Sequence, residues 1–307
     1  MLLSLRRALA LLALVPLAAA AESQNPSSTP LLDYAREQPL PTQPFAESLD
    51  KRLAAAEREL MHQTPPGRAE CAHTLGASRF ARLYQTLASA RENTRDYAGA
   101  VDAYENAIAC QPRMAYWHVQ MAADLLQLGR LAEARAAAER GRAIDAEATN
   151  LDEILAQIDF IEEHWADAVA RLRMLAVTDT TANTQYWLCM LWLSQRRAGV
   201  VKPDVPAARD TDSDWPKPIL DALYGDIDER AVVDEIRDED DATRRREKLV
   251  EALYYIGQSR LAAGEKDVAR RYFAAAVSLK VLYFIEHQMA FAELEKMRAA
   301  EGPQARS

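Results

Sequence analysis

Along most of this chain the hydrophobic positions recur at three- and four-residue intervals, the period of a helix that turns one face to a core. Leu49, Leu53, Ala56 and Leu60 predict an amphipathic helix over 46–62, within an N-terminal helical segment 46–80. Beyond it a longer period appears. In RDYAGAVDAYENAIACQP the set positions are Tyr97, Ala100, Tyr104, Ala107 and Pro112. A shift of 34 residues (134 − 100) brings GRLAEARAAAERGRAIDA, with Leu131, Ala134, Ala138 and Gly141. The same shift again brings EHWADAVARLRMLAVTD, with Trp165, Ala168, Leu172 and Leu175.

A 34-residue period of this kind marks tetratricopeptide (TPR) helix pairs. Small residues at Ala100, Ala134 and Ala168 let the second helix of each pair approach the first, and each pair buries its remaining apolar face only against the next. The expected fold is therefore an all-α TPR superhelical solenoid with a C-terminal capping helix. First helices carry Tyr84, Leu87 and Ala88 in one frame and His118, Met121, Ala122 and Leu125 in the next, with Gly129 as a left-handed turn residue between helices. A third frame begins near Thr149, so the repeats cover 81–182, and a fourth opens with NTQYWLCMLWLSQRR.

That fourth frame breaks. Pro203 and Pro206 forbid a regular helix in GVVKPDVPAARDTDSDWPKP, so 183–249 reads as an irregular repeat with a long loop, followed by short helices in ILDALYGD and DERAVVDEIRD. The DEDD run at 238–241 suits a solvated helix start, with Asp240–Arg244 and Asp241–Arg245 at pairing distance. The last repeat and a capping helix take 250–298, with Ile256, Gly257, Gly264, Ala269, Phe273 and Ala276 in place. Its frame starts at Val250, which puts the next at Phe284 and gives His287 the fourth position that His118 holds earlier. His287, Ala290, Phe291 and Leu294 form the expected packing stripe of the cap, and 299–307 reads as a flexible tail.

The beginning of the chain differs in kind. Arg6, Arg7, the apolar run from Ala8 to Leu17 and the small residues to Ala21 predict a cleaved signal peptide, 1–21, hence a periplasmic protein. No cysteine follows the apolar run, so no direct lipid anchor is expected. Five prolines mark 22–45 as a flexible linker. Loss of Arg6 and Arg7 takes the formal charge from -9 to -11, which disfavours nucleic acid and anionic membranes. Export makes a Cys71–Cys110 disulfide feasible, the alternative being three small buried hydrophobes, Cys71, Cys110 and Cys189.

Motifs of chemistry are missing. The five histidines form no His-Glu-x-x-His helix, no Gly-x-Ser-x-Gly elbow occurs, and ten glycines include no phosphate-cradling loop. No catalytic, metal or cofactor residue is assigned. A partner-binding groove is better supported: inward positions of the first helices, with their neighbours, place there Arg82 and Gln85, then Tyr116, Val119 and Gln120, Glu153, Gln157 and Phe160, Trp187 and Leu191, and Tyr254 and Gln258. For Trp187 and Tyr254 the alternative is packing beneath the irregular loop.

The C-terminal third is more specific than a generic repeat. EKLVEALYYIGQSRLAAGEKDVARRYFAAAV followed by FIEHQMAFAEL resembles the NlpI-like family of bacterial envelope TPR proteins, through Phe284, Glu286, His287, Ala290, Glu293 and Leu294; WPKPILDALYGD is similar to that family's irregular stretch. The resemblance covers roughly 185–297. It implies a non-enzymatic, usually homodimeric adaptor that gathers peptidoglycan hydrolases and a periplasmic protease. Rival readings are an immunity or inhibitor protein that binds a secreted toxin, and an envelope enzyme.

Overall fold

The computed structural model describes residues 29–38, 47–63, 65–148, 150–178, 183–204, 206, 215–281 and 284–301. Residues 1–21, read above as a signal peptide, and the tail beyond 301 lie outside the described residues. Those described form fifteen helices and no strand.

The repeats are helix pairs. After α1 (Pro30–Glu37), α2 (Glu47–His62) and α3 (Arg68–Cys71) come α4 (Ala77–Asn93) with α5 (Tyr97–Cys110), α6 (Ala115–Gln127) with α7 (Leu131–Ile144), and α8 (Leu151–Ile161) with α9 (Trp165–Thr178). Ala100, Ala134 and Ala168 are fully buried where the helices of each pair touch. At Gly141 the approach is closer still, since a β-carbon there would stand 2.9 Å from Val119 Cγ2. One hydrogen bond recurs in every turn between paired helices: Asp96 N–H to Arg91 O, Arg130 N–H to Leu125 O and His164 N–H to Asp159 O, at 2.9, 2.9 and 2.8 Å. Each closes a left-handed residue, Arg95, Gly129 and Glu163, with φ of 64°, 69° and 64°. Two of those three carry side chains, so the six-residue hydrogen bond rather than glycine sets the turn.

The fourth repeat keeps its first helix, α10 (Thr184–Arg197), and the same turn at Gly199, now 36 residues on (199 − 163). Its second helix is replaced by loop and by α11 (Lys217–Tyr224) and α12 (Glu229–Arg237) before α13 (Ala242–Ala262), α14 (Lys266–Ser278) and α15 (Ile285–Glu301) complete the chain. Asp241 caps α13 by accepting from Thr243 N and Arg244 N. The expected pairs of the DEDD run take another form: Arg245 turns back to the carbonyls of Glu239 and Asp240, and Glu239 pairs with Lys248 at 2.9 Å.

Two further expectations are corrected and a third is extended. Residues 30–37 of the supposed linker are helical and docked. Pro30 starts α1, where its missing N–H costs nothing. Leu31, Leu32, Tyr34 and Ala35 are buried against the C-terminal repeats. Glu229 fastens the contact by accepting from Leu31 N (2.9 Å) and the Tyr272 hydroxyl (2.6 Å). Second, α15 runs to Glu301, so the tail begins later than 299. Third, α15 does more than cover α14. Lys296 Nζ donates to Ile161 O and Glu163 Oε1, both at 3.1 Å, which ties it across to the α8–α9 turn. Its buried face is Glu286, His287, Met289, Ala290 and Glu293, while Phe291 is half exposed.

Cys71 and Cys110 form a disulfide that joins α3 to α5, and Cys189 is a buried thiol. Apolar side chains gather into two cores, one from Ala56 to Ile158 and one from α1 together with Ala156 to Ala290, and Ile161 and Ile285 touch both.

Candidate functional site

The first helices share an inner face, and there a cleft of about 340 Å³ opens. Gln127 of α6 and Glu153 and Gln157 of α8 form one side; Tyr186, Trp187 and Met190 of α10 and Glu251 and Tyr255 of α13 form the base. Phe284, Ile285, Glu286 and Met289 close the other side, because α15 folds back across the repeats.

Two carboxyl groups of the lining lie buried. Glu251 accepts from the Tyr186 hydroxyl through both oxygens at 3.0 Å and from Trp215 Nε1. Glu286 accepts from the Tyr255 hydroxyl at 3.3 Å. Burial pushes both above the usual carboxylate range, and the charge of Glu286 raises Glu251 further. Trp215 ends the irregular loop, so the loop is pinned to α13 through a cleft residue.

His287 has a different task. Its Nε2 stands 3.3 Å from Val277 O, as His118 Nε2 stands 3.3 Å from Pro112 O. Both rings are buried, which lowers both pKa values, and both Nδ1 atoms lack a partner. The fourth position of the frame is thus a packing position that satisfies the backbone ahead of its own helix. Among the described residues no group of three or more His, Cys, Asp or Glu is placed to hold a metal.

Of the residues read into the groove, Glu153, Gln157 and Trp187 line the cleft, although Trp187 shows only its edge, at 5% exposure. Tyr116 and Gln120 lie further along α6, the former 42% exposed, and Arg82 is exposed on α4. Gln85 accepts from Trp117 Nε1 at 3.3 Å. The remainder do not face an open groove. Val119 packs on Gly141, and Phe160 meets Trp165 edge to face with ring centroids 5.5 Å apart. Leu191 is buried in α10. Tyr254 sits under α15, donating to Met289 Sδ and accepting from Gln258 Nε2, both at 3.3 Å, and Gln258 Oε1 accepts from Arg197. Tyr254 is covered by α15 through Met289, and Gln258 is taken up by Tyr254 and by Arg197 of α10. The α15 helix, not the irregular loop, is what packs over Tyr254.

The rest of the lining, Gln127, Asn183, Tyr186, Met190, Glu251, Tyr255 and the residues of α15 with Phe284, is not among the groove positions that the sequence suggests. Glu251 carried a usable signal, for it holds the second position of the frame that starts at Val250.

No family model matches the chain. Among solved structures, the crystal structure of MamA protein is similar with a TM-score of 0.37 and 16% identity, over 67% of this chain and 93% of that one. A likeness at that level adds nothing to the architecture read from the helix pairs themselves. The chain is an all-α helical repeat whose helix pairs recur at the TPR spacing.

Proposed function

We propose that this is a non-enzymatic adaptor of the bacterial periplasm that holds envelope proteins, peptidoglycan hydrolases or a periplasmic protease among them, on the inner face of its repeats. The observation that carries the reading is the cleft itself, a base of aromatic and apolar side chains around a buried carboxyl group, with amide and carboxyl groups beside it, assembled from first helices that sequence periodicity aligns. Export is supported by the N-terminal signal pattern and by the Cys71–Cys110 bridge, since structural disulfides persist in oxidising compartments. The resemblance of 185–297 to NlpI-like proteins supports the partner class and a homodimer. The test places a photo-crosslinking residue in the cleft, Gln157→benzoylphenylalanine, in intact cells. Irradiation is expected to give discrete adducts with envelope proteins that disappear when Glu153→Arg is added. Adducts confined to cytoplasmic proteins, or none, would sink the reading.

The buried carboxyl pair favours one second reading, an envelope enzyme in which Glu251 and Glu286 divide acid and base roles. Turnover of purified cell-wall fragments, abolished by Glu286→Gln with helicity intact, would establish it.

A further inference from the structure

One turn of α13 gathers three other parts of the chain. Glu251 accepts from the Tyr186 hydroxyl of α10 and from Trp215 Nε1 at the end of the irregular loop. Four residues on, Tyr255 donates to Glu286 of α15, and beside it Tyr254 donates to Met289 of the same helix, both at 3.3 Å. Glu251 and Glu286, 7% and 6% exposed, thus hold the loop, α10 and the α15 wall of the cleft together. No lysine, arginine or histidine is among the described lining residues. What faces the pair is acidic or neutral. Glu286 and, from α13 itself, Glu247 act on Glu251 as like charges; the buried Cys189 thiol of α10 feels both carboxyls together with Asp221 of α11; and Glu153 of α8 borders the same cleft. The cations around them are engaged elsewhere: Lys248 with Glu239 and the Trp215 ring, Lys217 with Asp221, Arg197 with Gln258 and Glu163. His287, next to Glu286, meets the Val277 carbonyl of α14, and burial favours its neutral form.

We propose that Glu251 and Glu286 form a proton-held latch: while the pair keeps a proton the α15 wall stays closed on α13, and loss of the last proton parts Glu286 from Tyr255 and widens the cleft along 284–289. Protonated, the two groups accept their hydroxyl and indole donors without net charge. Ionised together, they set two like charges in one buried wall, a state that draws in water. Lys296 fastens the far part of α15 to the α8–α9 turn, so relief comes at the end that carries Glu286. Burial raises both carboxyls above the usual range and Glu286 raises Glu251 further, so the pair gives up its protons in two linked steps. Such a pair stabilises the closed form fully below its unfolded value, about pH 4, and that contribution is lost as pH rises through the raised values. The latch does not rest on the adaptor reading, since it concerns the wall and not its guest.

The full chain is followed by hydrogen exchange from pH 5 to pH 9, each rate corrected for the intrinsic pH dependence of exchange. Protection of amides 284–290, taken relative to α14, is expected to fall about tenfold over that interval. Glu286→Gln keeps an acceptor oxygen for Tyr255 and cannot ionise, and is expected to abolish most of the fall; Glu251→Gln serves as a second variant should the first fold poorly. In the unaltered chain, carboxyl carbon signals of labelled glutamate should show two groups that titrate in step with the loss of protection. A level ratio across the interval, a fall that a folded Gln variant leaves undiminished, or a fall with no carboxyl titrating alongside it overturns the latch.

Discussion

At the scale of single residues, Asp124 is the clearest liability in the fold. The equivalent positions 34 residues before and after are Ala90 and Ile158, both buried and apolar. Burial raises the Asp124 carboxyl to about 8, with the nearby Glu92 adding to it. A folded pKa above the unfolded one means that this group's stabilising protonation is complete below about pH 4 and is lost as pH climbs toward 8. Asp124→Ala is therefore expected to raise stability by about 1 to 3 kcal/mol at pH 8 and by less at pH 5, measured by urea unfolding at both. A larger gain at pH 5 would refute this sign. A second residue, Ala134, tests the register itself: Ala134→Leu should cost about 1 to 3 kcal/mol, because nothing at that fully buried contact can yield. Positions like Ala134 and Gly129 were legible in the sequence because a helix contact and a left-handed turn each restrict residue type. The burial of Tyr254 and Gln258 was not, because it depends on how α15 and Arg197 of α10 close over them, which helical spacing does not show.

Among the elements, α1 shows how composition misleads. Pro30 and the prolines after it read as a linker, yet Leu31, Leu32 and Ala35 keep helical spacing, and Pro30 stands where a helix tolerates it best. The short run hides the period, and its partner surface lies near residue 229. Leu31 is fully buried, so Leu31→Ala is expected to cost about 2 to 4 kcal/mol, read from the melting temperature of the C-terminal repeats. An unchanged melting temperature would mean that α1 does not hold this position in solution. The α15 helix was foreseen from its frame at Phe284. Its crossing to the α8–α9 turn was not, since Lys296 looks like any surface lysine until the superhelix brings Ile161 O beneath it.

For the whole molecule, the division into two cores predicts how it comes apart. The disulfide closes a sequence separation of 39 within the first core. Reduction is expected to lower the stability of that half by about 2 to 4 kcal/mol and to leave the second half nearly unaffected. Hydrogen exchange should show amides of α4–α7 losing protection while α13 and α14 keep theirs. A uniform loss would mean that the halves unfold as one unit. Periodicity exposed the order of the helices without difficulty. It could not reveal that the array has two centres, because that depends on which side chains remain apolar where α8 meets α15.

The docking of α1 also sets a temporal order. Most helix contacts in the array join elements near one another in the chain, but Leu31 N reaches Glu229 across 198 residues. A segment made near the beginning must stay unpaired until the last repeats have formed, since its binding surface does not exist before then. Refolding should accordingly end in a step that closes the two ends of the chain together, visible as a late change in Tyr34 environment and absent when residues 29–38 are removed. Until that step the nascent protein presents an apolar seam over α12–α14, the interval in which a chaperone would have most to hold.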